Sequence, residues 1–361
     1  MNSSTKNLLA LGALAAAGGM AVNQILRSSR WFDFKGKVAI ITGGSRGLGL
    51  VLARQLIDRG ARVAICARES SDLTNALNEL QERGGEVIAI PCDIRDQAAV
   101  ESMVQEVIKR FGTIDLLFNV AGIIQVGPLD SMTMDDFRDA METNCWGPLQ
   151  TTLAVLPEFR KKGWGRIVNI ASVGGKRAVP HLLPYAASKF ALVGLSNGLR
   201  VELWKENIFV TTVCPSLMNT GSPRNAVFKG QNKKEYAWFS IGDSIPVISM
   251  DANLAAKQTL KACQYGDREV ILRNPLNIAV LAQSLLPGFT QELLALMDRV
   301  LPEMGGIGRR AARGHESQSA WSPSWLTYYG ELAARMNNEM HYTRPAAAEN
   351  HNHRSIQADG Q

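Results

Sequence analysis

The stretch Val38-Ala-Ile-Ile-Thr-Gly-Gly-Ser-Arg-Gly-Leu-Gly49 decides the fold, because an apolar, β-branched strand pattern runs directly into a glycine-rich turn. A helical pattern follows the turn, as a strand–turn–helix unit requires. Glycines let the backbone turn tightly and leave the free N–H groups of the helix N-terminus pointing at a pyrophosphate. Without this context the turn would be only a tight loop. In it, the spacing G-x-x-x-G-x-G predicts a dinucleotide site formed by Gly43, Ser45, Arg46, Gly47, Leu48 and Gly49.

Outward from this turn, short β-branched segments alternate with helical patterns, which is typical of a parallel sheet covered by helices. The predicted strands are Val38–Thr42, Arg62–Cys66, Glu86–Pro91, Ile114–Asn119, Arg166–Ile170, Phe209–Val213 and Glu269–Leu272. The predicted helices include Ser71–Arg83, Gln97–Phe111, Met134–Phe159 and Pro184–Glu206. We therefore expect an α/β fold, in which residues 37–273 form one doubly wound, Rossmann-like domain with a seven-stranded parallel sheet.

Composition supports a folded core and excludes two classes of site. The 361 residues are 46% hydrophobic and 20% charged, so a buried core is expected rather than global disorder. The net charge is +6, and most of the excess lies in residues 1–37. The rest of the chain is nearly balanced, which argues against a nucleic-acid partner. The five cysteines are scattered without a C-x-x-C pair, so neither a metal site nor a disulfide framework is predicted.

An apolar segment precedes the domain. Residues Leu8–Leu26 are apolar except for Asn23 and Gln24, and as a helix they would be about 28 Å long, close to the thickness of a bilayer core. Basic residues follow the segment, and the positive-inside rule would hold them in the cytoplasm. We predict that residues 1–36 form a membrane anchor and basic linker, with the catalytic domain cytoplasmic. A cleaved signal peptide is the alternative.

The end of the second strand predicts the cofactor. An acid normally stands there to bind the adenine ribose hydroxyls, but this chain has Cys66-Ala-Arg68. Arg68 can pair with a 2′-phosphate, and Arg46 in the glycine turn can be a second clamp. The pattern favours NADP(H) over NAD(H).

The segment Tyr185-Ala-Ala-Ser-Lys189 predicts the reacting group, because an i, i+4 spacing places tyrosine and lysine on one helix face. A lysine cation and a positive nicotinamide ring would favour the phenolate and lower the tyrosine pKa from its usual value near 10. Ser172 follows the strand Arg166–Ile170 at the carboxyl edge of the sheet, where such folds bind ligands. Its hydroxyl can hold a substrate carbonyl.

Together these motifs resemble the short-chain dehydrogenase/reductase family, in the branch with a T-G-x-x-x-G-x-G loop. The resemblance covers about two-thirds of the chain. It implies Tyr185 as general acid/base and Ser172 as the residue that orients the carbonyl. Lys189 would lower the tyrosine pKa and bind the nicotinamide ribose, while Asn144 would support a water relay behind the lysine.

The same resemblance implies further cofactor contacts. Asp93 would lie near the adenine, and Asn119 with Gly122 would line the cofactor cleft. Pro215 would be a further cofactor-binding residue, and Thr220 would meet the cofactor phosphates. Asn119 and Asn144 have the alternative of serving only as hydrogen-bonding residues of the fold. Ser216 replaces the glycine that usually follows Pro215, so the loop there must accommodate a side chain.

The remaining chain is expected to determine the substrate. Residues 221–250 predict an irregular lid, and residues 274–344 a helical extension with helices Leu276–Leu286 and Phe289–Leu301. We expect the extension to pack over the substrate mouth. A position on the membrane surface and a dimer arm are the alternatives, so a homo-oligomer stays open. Residues 345–361 have the composition of a disordered tail.

The sequence thus predicts a membrane-anchored NADP(H)-dependent oxidoreductase that interconverts a carbonyl and a secondary alcohol of a hydrophobic small molecule. A 3-oxoacyl-thioester reductase is the alternative within the same chemistry, with Lys229, Lys233 and Lys234 facing an acidic carrier. A non-catalytic NADP(H) sensor or membrane scaffold is the alternative of another class. The complete set of predicted catalytic residues argues against it.

Overall fold

A computed structural model describes residues 18–19, 21–246, 249–272 and 277–340. Its centre is a sheet of seven parallel strands in the order β7-β6-β5-β4-β1-β2-β3. The strands are β1 Val38–Thr42, β2 Arg62–Ala67, β3 Val87–Pro91, β4 Leu116–Asn119, β5 Gly165–Ile170, β6 Ile208–Cys214 and β7 Glu269–Ile271. The predicted seven-stranded, doubly wound sheet is confirmed, and each predicted strand overlaps an observed one.

Apart from the helical residues before Arg30, the described part of the chain contains eleven α-helices. They are α1 Gly47–Ile57, α2 Ser70–Glu82, α3 Gln97–Phe111, α4 Met134–Met141, α5 Gly147–Lys162, α6 Leu183–Leu203, α7 Asn232–Ser244, α8 Ala252–Gln264, α9 Asn277–Leu285, α10 Pro287–Asp298 and α11 Tyr328–Met336. Helices α1, α2 and α8 bury their apolar residues against one face of the sheet, and α3 and α5 against the other. Strand β1 lies between two neighbours and is buried throughout, which explains its continuous apolar run.

The predicted helix Met134–Phe159 is wrong as a single element. The chain forms one π-helical turn at Glu142–Trp146 between α4 and α5. Pro148 follows that turn and lacks the N–H that a continuous α-helix would use to bond the carbonyl of Asn144. The wider turn absorbs the missing hydrogen bond, and π turns of this kind often coincide with functional residues.

The N-terminal region packs on the domain through its basic residues. Residues 21–29 are helical, and the guanidinium of Arg27 donates to both carboxylate oxygens of Asp267 at 2.6 and 2.9 Å. Arg30 lies over the ring of Trp204 at 4.4 Å. In the described residues, none of the helices combines the length and the apolar character needed to cross a bilayer. The predicted span Leu8–Leu26 lies largely outside the described residues, and the anchor stays a prediction.

The segment predicted as an irregular lid contains the helix α7 and a short strand, Val227–Phe228, that is the middle strand of a three-stranded sheet. Val227–Phe228 pairs with Gln125–Val126 and with Ala312–Arg313, which belongs to the C-terminal extension. The extension therefore contacts the lid through main-chain hydrogen bonds. Helix α10 also approaches the lid side, since the Oδ1 of Asp298 lies 3.7 Å from the Nε2 of His181. The predicted tail 345–361 lies outside the described residues.

Candidate active site

A cavity of about 260 Å³ opens at the carboxyl ends of the central strands. It extends from the glycine turn after β1, past the end of β2, to the loop after β5 and helix α6. Fourteen of the sequence-predicted site residues line it: Gly43, Ser45, Arg46, Gly47, Leu48, Gly49, Arg68, Asp93, Gly122, Ser172, Tyr185, Lys189, Pro215 and Thr220. The fold thus brings the predicted cofactor residues and the predicted reacting residues to one cavity.

The glycine turn is fixed by close backbone contacts. A Cβ at position 49 would lie 2.1 Å from the carbonyl oxygen of Gly43, so only glycine fits at Gly49. The hydroxyl of Thr42 accepts hydrogen bonds from the N–H groups of Val120 and Ala121 at 3.1 and 3.2 Å. These bonds join the end of β1 to the loop after β4. They hold the glycine turn and that loop, which both line the cavity, at a fixed distance from each other.

Ser172, Tyr185 and Lys189 meet at the other end of the cavity. The Oγ of Ser172 accepts a hydrogen bond from the N–H of Gly174 at 2.9 Å, which caps the short turn after β5. Tyr185 and Lys189 lie one turn apart on α6, and the Lys189 Nζ is 5.7 Å from the centre of the tyrosine ring. The same Nζ donates to the carbonyl of Ile170 at 2.8 Å.

Burial dominates the pKa values of this group. It raises the pKa of Tyr185, while the hydrogen bond with Ser172 acts in the opposite direction. Burial lowers the pKa of Lys189 from 10.5 to about 8. The predicted lowering of the Tyr185 pKa by Lys189 is therefore not produced by the protein groups alone, because desolvation of the phenol outweighs its favourable contacts.

Asn144 lies in the π-helical turn and is fully buried. Its side chain accepts from the N–H of Ile123 at 2.9 Å, and donates to the carbonyl of Ile123 at 3.1 Å and to the Oγ of Ser188 at 2.9 Å. These contacts connect the loop after β4 to helix α6 beside Lys189. They give Asn144 a positioning role, and the predicted water relay stays a prediction.

Asn119 is buried and is not among the residues that line the cavity, so its predicted place in the cofactor cleft stays a prediction. Its amide donates to Asn169 Oδ1 at 2.9 Å and its oxygen accepts from Thr151 at 2.7 Å. Asn169 in turn donates to Ser196 at 3.0 Å, so these side chains form a buried network beneath the sheet edge. An asparagine at a strand end can serve either purpose, and sequence alone does not distinguish them.

Several charged groups gather at the glycine-turn end of the cavity. Arg46 pairs with Asp72 at 3.0 Å, and Arg68 lines the wall at the end of β2. Arg313, from the C-terminal extension, lines the same cavity. Its pKa is lowered by burial and by the positive charges of Arg46 and Arg68. Sequence analysis missed Arg313. Its only local sign is that it ends a stretch rich in glycine and arginine, residues 305–313.

The structure also shows the contacts of Asp93 and the position of Ser216. Asp93 accepts from the guanidinium of Arg95, which lowers the pKa of the Asp93 carboxyl. Ser216 is accommodated as a buried residue, and the carbonyl of the preceding Pro215 accepts from the N–H of Val173 at 2.8 Å. The loop after β6 is thereby tied to the turn that Ser172 caps.

The predicted carrier-facing lysines separate into two groups. Lys229 is buried and pairs with Asp136 at 2.6 Å, so it is not available to a carrier. Lys233 and Lys234, at the start of α7, are exposed. Only these two keep the predicted orientation toward solvent.

Comparisons with known proteins give a matching family and similar solved structures. The sequence pattern of short chain dehydrogenases matches residues 37–229. A candidate ketoacyl reductase of Streptomyces coelicolor is 40% identical over 186 residues, which cover 51% of this chain and 71% of that protein. A crystal structure of a variant actinorhodin polyketide ketoreductase with NADPH superposes with a TM-score of 0.60 and 31% identity, over 66% of this chain and 97% of that one. A NAD+-bound xylitol dehydrogenase superposes with a TM-score of 0.57 and 27% identity, over 67% of this chain and 99% of that one.

Proposed function

Since the chain belongs to the short chain dehydrogenase family of oxidoreductases, we propose that it is an NADP(H)-dependent enzyme that interconverts a carbonyl group and a secondary alcohol. One observation carries this proposal: Ser172, Tyr185 and Lys189 line the same cavity as the glycine turn. A cavity that joins a phosphate-binding turn to an acid–base group is what hydride transfer with a dinucleotide requires.

The residues present fit a nicotinamide dinucleotide. The glycine turn at the N-terminus of α1 suits the pyrophosphate. Thr220 and Lys189 line the same cavity, and the Lys189 ammonium would supply a donor to a ribose hydroxyl. When bound, the cofactor supplies or accepts the hydride, and its oxidised ring adds a positive charge beside the phenol. The chain itself has to orient the carbonyl and move a proton.

Tyr185 would do the proton transfer. In reduction, its hydroxyl gives a proton to the carbonyl oxygen while the carbon receives the hydride. The Ser172 hydroxyl, held by the Gly174 N–H, donates to the same oxygen. The pKa of Tyr185 is raised by burial, which keeps the phenol protonated at neutral pH and suits this direction. The Lys189 cation stabilises the phenolate that remains, and proton transfer of this kind contributes about 10²–10⁴-fold to a rate.

NADP(H) is supported by the charges around the ribose end. Arg46, Arg68 and Arg313 all line this end of the cavity, and guanidinium groups suit phosphate. At the end of β2 this chain has Arg68. An acidic residue in that place would repel a 2′-phosphate. One structural neighbour holds NADPH and the other NAD+, so the arginines of this chain carry the argument.

A hydrophobic substrate is supported by the helices beside the lid. Helices α9 and α10 expose large apolar side chains, and α10 approaches His181, four residues before Tyr185. The exposed residues include Leu281, Leu285, Phe289, Leu293 and Leu296. Apolar surface of this extent is typical of a binding or membrane-contact site.

A 3-oxoacyl thioester is the second candidate substrate. It is favoured by the similarity to a candidate ketoacyl reductase and by the exposed Lys233 and Lys234, which can meet an acidic carrier. In this case the chemistry at Tyr185 is unchanged, and only the means of delivering the carbonyl differs.

A substrate panel tests the proposal. Purified protein with NADPH is offered a sterol ketone, a long-chain aldehyde and a 3-oxoacyl thioester, and NADPH oxidation is followed by absorbance. We expect turnover of at least one carbonyl, faster with NADPH than with NADH. NADPH binding without turnover of any carbonyl in a broad panel contradicts the proposal and favours the non-catalytic sensor.

A further inference from the structure

The chain that follows α11 contacts the glycine turn directly. The carbonyl of Asn337 accepts the N–H of Gly47 at 2.9 Å. The side chain of Asn338 donates to the carbonyls of Ser45 and Asp72 at 2.9 and 3.0 Å. A donor at the N-terminus of α1, where helices bind phosphate, is thus bonded to the chain's own C-terminal segment.

The next residue brings a carboxylate to the same place. Glu339 is only 5% exposed, and its Oε2 accepts from the amide of Asn225 at 2.6 Å and lies 3.6 Å from the Nε of Arg46. A Cβ built on Gly47 would be 2.7 Å from its Oε1 and 3.9 Å from the Cβ of Thr220. The carboxylate therefore lies directly beside Gly47, and Thr220 is close to the same point; these are the two positions expected to meet the cofactor phosphates.

The position of Glu339 is fixed by the packing of α11. A Cβ at Gly221 would lie 2.3 Å from the Cα of Ala334, so the helix and the loop after β6 are in backbone contact. The guanidinium of Arg54 donates to the carbonyl of Met336 at 2.7 Å, and Arg224 pairs with Glu331 at 2.8 Å. The helix brings the segment back to the cofactor cavity.

We propose that Glu339 is a built-in competitor of the cofactor phosphates, so that residues 337–339 must leave the glycine turn before a dinucleotide binds. The helix N-terminus and Arg46 attract the carboxylate for the same reasons that they would attract a phosphate. Two anions in one small site repel each other. The cofactor can bind only those molecules in which the segment has opened, so the apparent affinity is the intrinsic affinity multiplied by the open fraction. The inference rests on the proposed function only in taking this cavity as the dinucleotide site.

Charge removal at Glu339 tests the competition. Glu339→Gln keeps the shape and the acceptor for Asn225 but removes the negative charge. We expect the Kd for NADPH, measured by titration calorimetry on the full chain, to fall about tenfold, and the difference to shrink at high salt. Glu292→Gln, on the exposed side of α10, removes the same charge far from the cavity and is expected to leave the Kd unchanged. An unchanged or higher Kd in Glu339→Gln overturns the inference.

Hydrogen exchange gives a second readout that needs no variant. If the segment competes, adding NADPH to the wild-type protein increases deuterium uptake in the peptide that covers residues 337–340. If the segment instead closes over the bound cofactor, NADPH decreases that uptake, and the inference fails. NADPH binding that is equal in all variants rejects the inference and leaves the proposed function intact. If neither the wild type nor any of the variants binds NADPH or NADH, the proposed function is rejected and the inference with it.

Discussion

Replacing Lys189 with methionine is expected to stabilise the protein while it removes activity. Lys189 is only 4% exposed, and its ammonium donates a hydrogen bond to the carbonyl of Ile170 at 2.8 Å. Its pKa is lowered by burial to about 8. A charge in this position costs folding free energy that a methionine, with a similar unbranched chain, does not cost.

The pKa supplies the magnitude. The difference between 10.5 and about 8 corresponds to about 3 kcal/mol of unfavourable free energy when the group is charged in both states. Loss of the hydrogen bond to Ile170 costs about 1 kcal/mol. We therefore expect Lys189→Met to raise the free energy of unfolding by about 2 kcal/mol near neutral pH.

The pH dependence distinguishes this cause from simple repacking. Because the folded pKa is lowered, the unfolded chain keeps a proton that the folded protein releases between about pH 8 and pH 10.5. Below pH 8 the cost is present in full, and it disappears as the pH rises through that range. The advantage of Lys189→Met over the wild type is therefore largest below pH 8 and is lost near pH 10.5.

Urea unfolding without cofactor, followed by tryptophan fluorescence at about pH 7 and about pH 9.5, measures the difference. Lys257→Met, an exposed lysine on α8, is the matched control and is expected to show no pH-dependent difference from the wild type. A Lys189→Met protein that is less stable than the wild type at pH 7, or whose difference does not change with pH, would refute the reasoning.

Two further predictions concern the cofactor and the substrate. Arg68→Asp is expected to raise the Kd for NADPH at least about tenfold without weakening NADH, because a charge-assisted bond to a phosphate is worth about 1.5–3 kcal/mol. The control Arg110→Asp, on α3, should leave both values unchanged, and an unaltered NADPH affinity in Arg68→Asp would refute the assignment. If the substrate arrives on an acidic carrier, Lys233→Glu with Lys234→Glu raises KM for the carrier-bound 3-oxoacyl group but not for a free thioester. Equal effects on both substrates would contradict carrier docking.

Local patterns made most of the sheet predictable, and with it the placement of Ser172, Tyr185 and Lys189 at one cavity. The strand that precedes the glycine turn and the spacing of Tyr185 and Lys189 depend only on neighbours in sequence. A short apolar run between turns can be a strand or part of a buried helix. It is assigned as a strand once the apolar runs before and after it are also predicted to be strands. Ser172 was predictable because it follows such a strand at the edge where ligands bind.

Residues whose role depends on distant partners were not predictable in this way. Asn119 faces a buried network because Asn169, on the next strand of the sheet, offers its amide oxygen at 2.9 Å. Arg313 and Glu339 reach the cofactor cavity only because the extension folds back over the loop after β6. Nothing near either residue in sequence indicates this return. Arg313 is placed by the pairing of Ala312–Arg313 with Val227–Phe228, and Glu339 follows the contact between α11 and Gly221.

A comparison of Tyr185→Phe with the wild type tests whether Tyr185 transfers the proton. The substitution removes only the hydroxyl that is proposed to transfer the proton. We expect the Kd for NADPH to stay within about twofold, while kcat for the best carbonyl substrate falls by at least about 10²-fold. Turnover that survives in Tyr185→Phe at the wild-type rate would contradict the account.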